Sequence, residues 1–334
     1  MTIAYDIDLR PFTTFRTHEA FARQFYVLTR EEDAIEFATT YASRLSDILI
    51  LGGGSNMLIT RPVEAVVQVQ INHRSIVDET SSHVVIRLGA GEMWHDCVAW
   101  AVSQGWAGIE AMALIPGTVG AAPIQNIGAY GQQFSDTCQW IEAVHLPSGR
   151  KMTFRAEECR FGYRDSRFKS EWKGSFIITA VGLKLEKRPT TTVHYQELRQ
   201  ALGERPEVTI QEVFECVINL RRSKLPPPTL GNAGSFFKNP IVPGEVALAL
   251  AARYPSMPMH AYNGSVKLSA GWLIEQCGYK GIRRGDAGVY DRHALVLVNY
   301  GNARGKDILS LAREIKHAVQ AQFGVELEEE VIIV

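Results

Sequence analysis

Apolar and polar positions alternate along this chain in two different rhythms, and the places where the rhythm changes divide it into elements. From Thr29 to Ala42, apolar Ala34, Ile35, Phe37 and Ala38 share one helical face, and Thr29 and Glu32 stand at capping-box spacing, so a helix is predicted there. The β-branched run Ile48 to Leu51 follows as a short strand. Val66 to Ile71 and Val84 to Leu88 alternate with the period of two that half-buried strands show. Trp94 to Gln104 returns to helical spacing, with Gly105 placed to end the helix in the left-handed conformation. Strands are predicted again at Ile141 to Leu146 and Phe176 to Leu185, separated by a Ser148-Gly149 turn. Later come a helix at Ala270 to Cys277, a strand at Ala294 to Asn299, and an amphipathic helix at Ile308 to Phe323 that Gly324 closes. The end, Val325 to Val334, reads as an acidic, β-prone segment in which alternation would turn Glu328 and Glu330 to one face and Glu329 to the other. Helices and strands interleave, which makes the fold class α+β or α/β.

Two stretches break the rhythm. From Ala107 to Gln133, Pro116, Gly117, Gly120, Pro123, Gly128 and Gly131 punctuate a segment too apolar to be a solvated linker. Apolar loops of this length without structure of their own usually serve a ligand, and small residues let backbone lie close to something flat. The other break is Pro226-Pro227-Pro228, a stiff extended spacer that marks a domain boundary.

Composition narrows the function classes. A chain of 334 residues exceeds what one hydrophobic core serves, so two or three domains are expected. With 35 basic against 36 acidic residues the net charge is −1, which removes the field that generic nucleic-acid or membrane-surface binding uses. Neither a signal peptide nor a membrane-spanning run is visible. The five cysteines have no Cys-x-x-Cys spacing, which argues against a disulfide framework and a zinc ribbon alike. A cytoplasmic protein without metal is expected.

Several motifs carry chemistry. Gly52-Gly53-Gly54-Ser55-Asn56 follows a strand, where successive backbone N–H groups can converge on a phosphate. It matches neither the dinucleotide fingerprint nor a Walker loop, and a plain tight turn is an equal reading. Ile115-Pro116-Gly117 through Gly120, Gln125, Asn126, Gly128 and Ala129 sets two amides in an apolar surround, which suits a planar ligand with a polar edge, such as a flavin. Arg160 to Arg167 puts three arginines around Phe161 and Tyr163, a pattern that is most often a solvated edge. In Gly231-Asn-Ala-Gly-Ser-Phe-Phe-Lys-Asn-Pro240, Ser235 follows glycine, so its hydroxyl can be presented to a cleft. Ser235 and Lys238 have the serine–lysine spacing of penicillin-binding proteins, but the companion Ser-Asp-Asn and Lys-Thr-Gly elements are absent, so an acyl-enzyme hydrolase ranks low.

Taken in order, these motifs, with Phe161-Gly-Tyr-Arg-Asp-Ser166 and the final Leu327-Glu-x-Glu-Val331, resemble the UDP-N-acetylenolpyruvoylglucosamine reductase family from about Phe12 to Val331. His194-Tyr195-Gln-Glu-Leu198 looks like the tyrosine-bearing insertion of its type I members. The tail has Glu329 where many members carry proline, and His293 stands where some relatives have glutamine. The resemblance implies an α+β chain with a two-part FAD-binding domain of the vanillyl-alcohol-oxidase type and a separate α/β substrate-binding domain. Residues 1–65, joined by a C-terminal strand at 325–334, would form the first FAD subdomain, 66–222 the second, and 223–324 the substrate domain.

It also implies a cytoplasmic, monomeric oxidoreductase of peptidoglycan precursor synthesis that serves cell wall biogenesis, cell shape and cell division. FAD would be the cofactor, NADPH the hydride donor and a UDP-sugar the substrate, with no nucleic-acid or membrane partner. By match to the family, flavin hydride goes to C3 of the enolpyruvyl group, Ser235 gives a proton to C2, and Arg164 and Glu330 complete the catalytic set. Gly52 to Asn56, Ile115, Pro116, Gly117, Gly120, Gln125, Asn126, Gly128 and Ala129 would hold FAD. Tyr163, Tyr195, Lys224, Asn239 and His293 would hold the sugar diphosphate. The alternative is another FAD-dependent oxidoreductase of the same fold, against which the motif around Ser235 argues.

Overall fold

The computed structural model describes residues 1–334 and divides into two compact units. Unit 1 comprises Met1–Ile7, Ala22–Gly54 and Val63–Ser223; unit 2 comprises Asp8–Phe21, Ser55–Pro62 and Lys224–Val334. No helix is long and apolar enough to cross a membrane.

Unit 1 is built on two sheets. In the first, strand Val63–Val69 lies between Phe21–Leu28 and Ile48–Leu51 and runs parallel to both. Strand Thr2–Asp8 extends this sheet beyond Phe21–Leu28. A parallel strand flanked on both sides is apolar along most of its length, and Val63, Ala65, Val66, Val67 and Val69 are all buried. The helix that follows the second strand runs Glu31–Thr40. It starts two residues after Thr29, because the N-cap is Arg30 and the acid that closes the capping box is Asp33, not Glu32. Both carboxylate oxygens of Asp33 are engaged, taking hydrogen bonds from the Thr29 amide at 2.8 Å, the Arg30 amide at 3.0 Å and the N-terminal ammonium at 2.9 Å. Burial alone would raise the pKa of this carboxyl, but these donors together hold it well below the usual carboxylate range.

The second sheet is antiparallel, in the order Lys151–Arg155, Cys138–His145, Phe176–Lys187, His83–Gly89 and Arg74–Glu79. Its long central strand is buried from Ile177 to Leu183, and Val84, Ile86 and Leu88 turn inward from the neighbouring strand. Helix Trp94–Ser103 buries Cys97, Val98, Ala101 and Val102 in the same core, and Gly105 beyond it adopts φ +75°.

Unit 2 holds a four-stranded antiparallel sheet in the order Gly231–Ser235, Val296–Asn299, Ala287–Val289 and Arg283–Arg284. Helix Gly305–Phe323 presents Ile308, Leu311, Ala312, Ile315, Val319 and Phe323 to its core and ends at Gly324 with φ +69°. The start of that helix lies so close to residue 59 that a Cβ on Gly305 would come 2.0 Å from the Ile59 carbonyl oxygen. The tail is not one strand over Val325–Val334. Only Ile332–Ile333 pairs as a strand, parallel to Met57–Leu58, and Glu329 makes an isolated bridge to Phe237. The three consecutive glutamates explain the interruption. Glu328 pairs with Lys238 and Glu329 with Lys316, so neighbouring residues are drawn to different partners.

Candidate active site

Unit 1 brings the two glycine-rich segments together. Strand Ile48–Leu51 delivers Gly52, Gly53 and Gly54, and a Cβ on Gly53 would lie 2.9 Å from Gly117 Cα. Such backbone-to-backbone contact admits only glycine. A Cβ on Gly52 would lie 2.3 Å from Thr118 Oγ1, a buried hydroxyl with no hydrogen-bond partner. A loop stripped of side chains and backed by an unspent donor fits the diphosphate of a flavin dinucleotide. Thr118 escaped the sequence reading because its neighbour in space, Gly52, is 66 positions away. Ser55 and Asn56, the rest of the first loop, belong to unit 2.

Further along, Gly128 and Ala129 pair with Gln133 and Gln132 in a tight hairpin whose turn residues Tyr130 and Gly131 have φ +49° and +90°. The Arg164 guanidinium donates to the Gly128 carbonyl at 2.7 Å and lies 5.5 Å from the Tyr163 ring centre. Arg164 itself has φ +53°, in a turn closed by the Gly162–Asp165 bridge. Asn126 corrects an expectation. Its amide was expected to offer hydrogen bonds to a ligand, but Nδ2 donates to Gly162 O at 3.1 Å and to Gln133 Oε1 at 3.3 Å, while Oδ1 accepts from Ser135 N at 2.9 Å. The side chain is spent on tying the loop to the Arg164 turn.

Tyr195 packs edge-on against Tyr130, with ring centres 5.4 Å apart. Burial pushes the Tyr130 phenol up to about 12, so it stays protonated at neutral pH. Arg221 was not singled out from sequence. Its Nε is buried without a partner; burial lowers its pKa, Tyr130 opposes that shift and Arg164 adds to it. The signal was its place three residues before Lys224 on helix Ile210–Lys224, one turn back along the same face.

Unit 2 gathers the remaining candidates. Strand Gly231–Ser235 is irregular between Asn232 and Ser235, where Asn232 Oδ1 accepts from Gly234 N at 3.0 Å and Gly234 takes φ +68°. This local turn presents Ser235, and the fully buried rings of Phe236 and Phe237 anchor it from behind. Alongside runs the tail: Glu330 N donates to Phe236 O at 2.8 Å, and Lys238 N to Glu328 O at 2.9 Å. Glu330 is thereby set opposite the residue after Ser235. Asn56 holds it there, donating to Glu330 O at 3.2 Å and accepting from Ile332 N at 3.0 Å. Lys238 is paired with Glu328, which takes away the base that a serine–lysine hydrolase would need. Asn239 Oδ1 accepts from Ala270 N at 3.0 Å, which leaves its Nδ2 as the atom it can turn to a ligand, and His293 Nδ1 accepts from Leu295 N at 3.3 Å.

A cavity of about 590 Å³ in unit 2, lined by Arg284, Asp286, Asp307 and Glu314 among others, contains none of these residues. Its charges are paired, Arg284 with Glu314 at 3.2 Å and Asp286 with Arg283 at 2.8 Å.

Comparison with known proteins agrees with this division. A family model described as an FAD binding domain matches residues 23–155, and one described as the C-terminal domain of UDP-N-acetylenolpyruvoylglucosamine reductase matches 226–334. FAD, expected from the glycine loops, is thus the cofactor. The UDP-N-acetylenolpyruvoylglucosamine reductase of Chromobacterium violaceum is 46% identical over 343 residues, covering 100% of both chains. That of Burkholderia vietnamiensis is 50% identical over 289 residues, covering 84% of this chain and 83% of the relative. Among solved structures, the UDP-N-acetylenolpyruvylglucosamine reductase of Thermus caldophilus superposes with TM-score 0.71 at 26% identity, covering 100% of this chain and 99% of that one. The 6-hydroxy-D-nicotine oxidase of Arthrobacter nicotinovorans, at 17% identity, covers 97% of this chain and 86% of its own and shares the fold with TM-score 0.56.

Proposed function

Because the chain belongs to the UDP-N-acetylenolpyruvoylglucosamine reductase family, an FAD-dependent oxidoreductase family, we propose that it reduces UDP-N-acetylglucosamine enolpyruvate to UDP-N-acetylmuramate with NADPH. The product is a peptidoglycan precursor, and the enzyme acts as a cytoplasmic monomer on small molecules. In this reading residues 1–65, joined by the C-terminal strand at 325–334, and residues 66–222 are the two halves of the FAD-binding part, and 223–324 the substrate-binding part.

When bound, FAD would supply the redox chemistry that carries a hydride equivalent from NADPH to C3 of the enolpyruvyl ether. What the protein must meet is the negative charge that then builds at C2 and spreads into the adjacent carboxylate. Arg164 offers that carboxylate a guanidinium fork, held in aim by its bond to the Gly128 carbonyl. Ser235 hands its proton to C2; a hydroxyl is a weak acid, so the transfer accompanies hydride arrival. Glu330 acts in its protonated form as a hydrogen-bond donor, since an ionised carboxylate there would repel the developing charge. Tyr163, Tyr195, Lys224, Asn239 through Nδ2 and His293 hold the diphosphate and sugar. The backbone of Gly52 to Asn56 and of Ile115, Pro116, Gly117, Gly120, Gln125, Asn126, Gly128 and Ala129 holds FAD.

The observation that carries this reading is the bond from Glu330 N to Phe236 O, which sets the terminal glutamate beside the strand that presents Ser235. Ser235→Ala tests it. Flavin bleaching by NADPH, which needs no proton at C2, should run at the parent rate. Reoxidation by the enolpyruvyl sugar should slow by about 10²–10⁴-fold, the usual worth of a positioned acid. Ser235→Cys should recover part of the loss. Reoxidation at the parent rate in the alanine variant would assign the proton to another group.

A further inference from the structure

In unit 1, residues 90–95 and 112–120 are joined by a series of hydrogen bonds. Gly120 N donates to Ala90 O at 2.9 Å, Val119 N to Glu92 O at 2.8 Å and Trp94 N to Gly117 O at 3.0 Å, with Met93 and Thr118 bridged between them. The Trp94 indole donates to Met112 O at 3.2 Å. One further link differs in kind, because Leu114 N donates to Nδ1 of His95 at 3.1 Å. In the other bonds the acceptor is a carbonyl oxygen, whereas an imidazole nitrogen accepts only while it carries no proton.

Leu114 needs that link. Its φ is +55°, a left-handed conformation that a bulky L-residue rarely adopts. Three residues on is Gly117, with φ +107°, whose Cα abuts Gly53, and then Thr118 with its unspent hydroxyl. The bend at Leu114 therefore sets where the second flavin loop meets the first.

His95 is placed to stay neutral. It lies in the first turn of helix Trp94–Ser103, where the helix dipole disfavours a cation. Its ring stacks on Phe214 of helix Ile210–Lys224, with centres 5.6 Å apart and planes within 7°. Two charges act on it, Asp96 from its own helix favouring the imidazolium and Arg222 from the Phe214 helix opposing it; the segment 112–117 carries no titratable side chain. Burial is the largest influence and lowers its pKa below the ordinary imidazole value.

We propose that His95 is a positioning residue for the flavin loop, whose neutral Nδ1 holds Leu114 in its left-handed bend and whose protonation loosens the hold on FAD. This rests on FAD lying against that loop. Opening the loop frees Nδ1 to take a proton, so FAD affinity is full above the imidazole range and falls as pH drops through it.

The test is FAD affinity, read by quenching of flavin fluorescence on titration into the flavin-stripped full chain, at about pH 7.5 and about pH 5. The parent should bind about three- to tenfold more weakly at the lower pH, beyond any change in a non-titrating control, which is the worth of one hydrogen bond. His95→Asn supplies that control: its Oδ1 keeps an acceptor near Nδ1, so affinity at the higher pH should be near the parent's and the acid-dependent loss should vanish. His95→Leu, with no acceptor, should bind weakly at both pH values by the same factor. Equal acid-dependent losses in the parent and the asparagine variant would overturn the proposal even if the leucine variant does not fold. Failure of the parent to bind FAD at either pH would overturn the flavin placement itself.

Discussion

The flavin loops of unit 1 and the Ser235 region of unit 2 solve their binding problems with opposite materials. Around Gly52 to Gly54 and Ile115 to Gly120 the working parts are backbone. At Gly52, Gly53 and Gly117 there is no side chain, atoms approach to where no Cβ fits, and beside them lies the unpaired hydroxyl of Thr118. Around Ser235 and Glu330 the backbone is scaffolding, an Asx turn and a short antiparallel run that carry the two side chains to which the proposed function gives the chemistry. A cofactor that stays bound through many turnovers is met by shape, and a transient charge by positioned groups. Damage to the first should therefore appear in FAD affinity and damage to the second in one half-reaction.

Arg164→Ala should break this comparison most severely, because the proposed function gives Arg164 of unit 1 a part in the chemistry. Losing its charge should slow flavin reoxidation by the enolpyruvyl sugar by about 10²–10³-fold. Arg164→Lys, which keeps the charge but not the fork, should recover only part of that. Stopped-flow absorbance after reduction by NADPH reads both, and an unchanged reoxidation rate in the alanine variant would remove Arg164 from the reacting centre.

Gly53→Ala comes next. The clash is with backbone at Gly117, which cannot swing aside, so overpacking should cost about 1–3 kcal/mol, or about 5- to 150-fold in FAD affinity. Once saturated with FAD, the variant should reduce the sugar at close to the parent rate. Parental affinity would show that the two loops separate when the cofactor binds. Lys224→Ala should have the smallest effect, raising KM for the UDP-sugar about tenfold, in line with the loss of one charge-assisted contact, while kcat stays near the parent value. An unchanged KM would exclude Lys224 from the diphosphate site.

Elements whose information is local were legible in the sequence. Helix Gly305–Phe323 shows its apolar face at Ile308, Leu311, Ile315 and Val319 and announces its end at Gly324. Helix Ile210–Lys224 was missed although Ile210, Val213 and Val217 have the same spacing, because charged and polar residues fill most of the remaining positions. The cap of the first helix was read one residue early, since Glu32 and Asp33 are adjacent acids and only the fold shows which one meets the amides of Thr29 and Arg30. In the candidate site, the two glycine-rich loops were singled out from sequence, and the structure brings Gly53 and Gly117 together. The partners of Asn126, the hydroxyl of Thr118 over Gly52, and the seat of Glu330 beside Phe236 all depend on residues far away in sequence. No local pattern records such pairings.

The central claim, that one FAD relays hydride from NADPH to the enolpyruvyl sugar, is tested most directly by the absorbance of the purified protein without oxygen. The oxidised flavin band should bleach when NADPH is added alone and return in full when the enolpyruvyl UDP-sugar follows, with one equivalent of sugar consumed per flavin. A bleached band that the sugar does not restore, or a protein that binds no FAD, would contradict it.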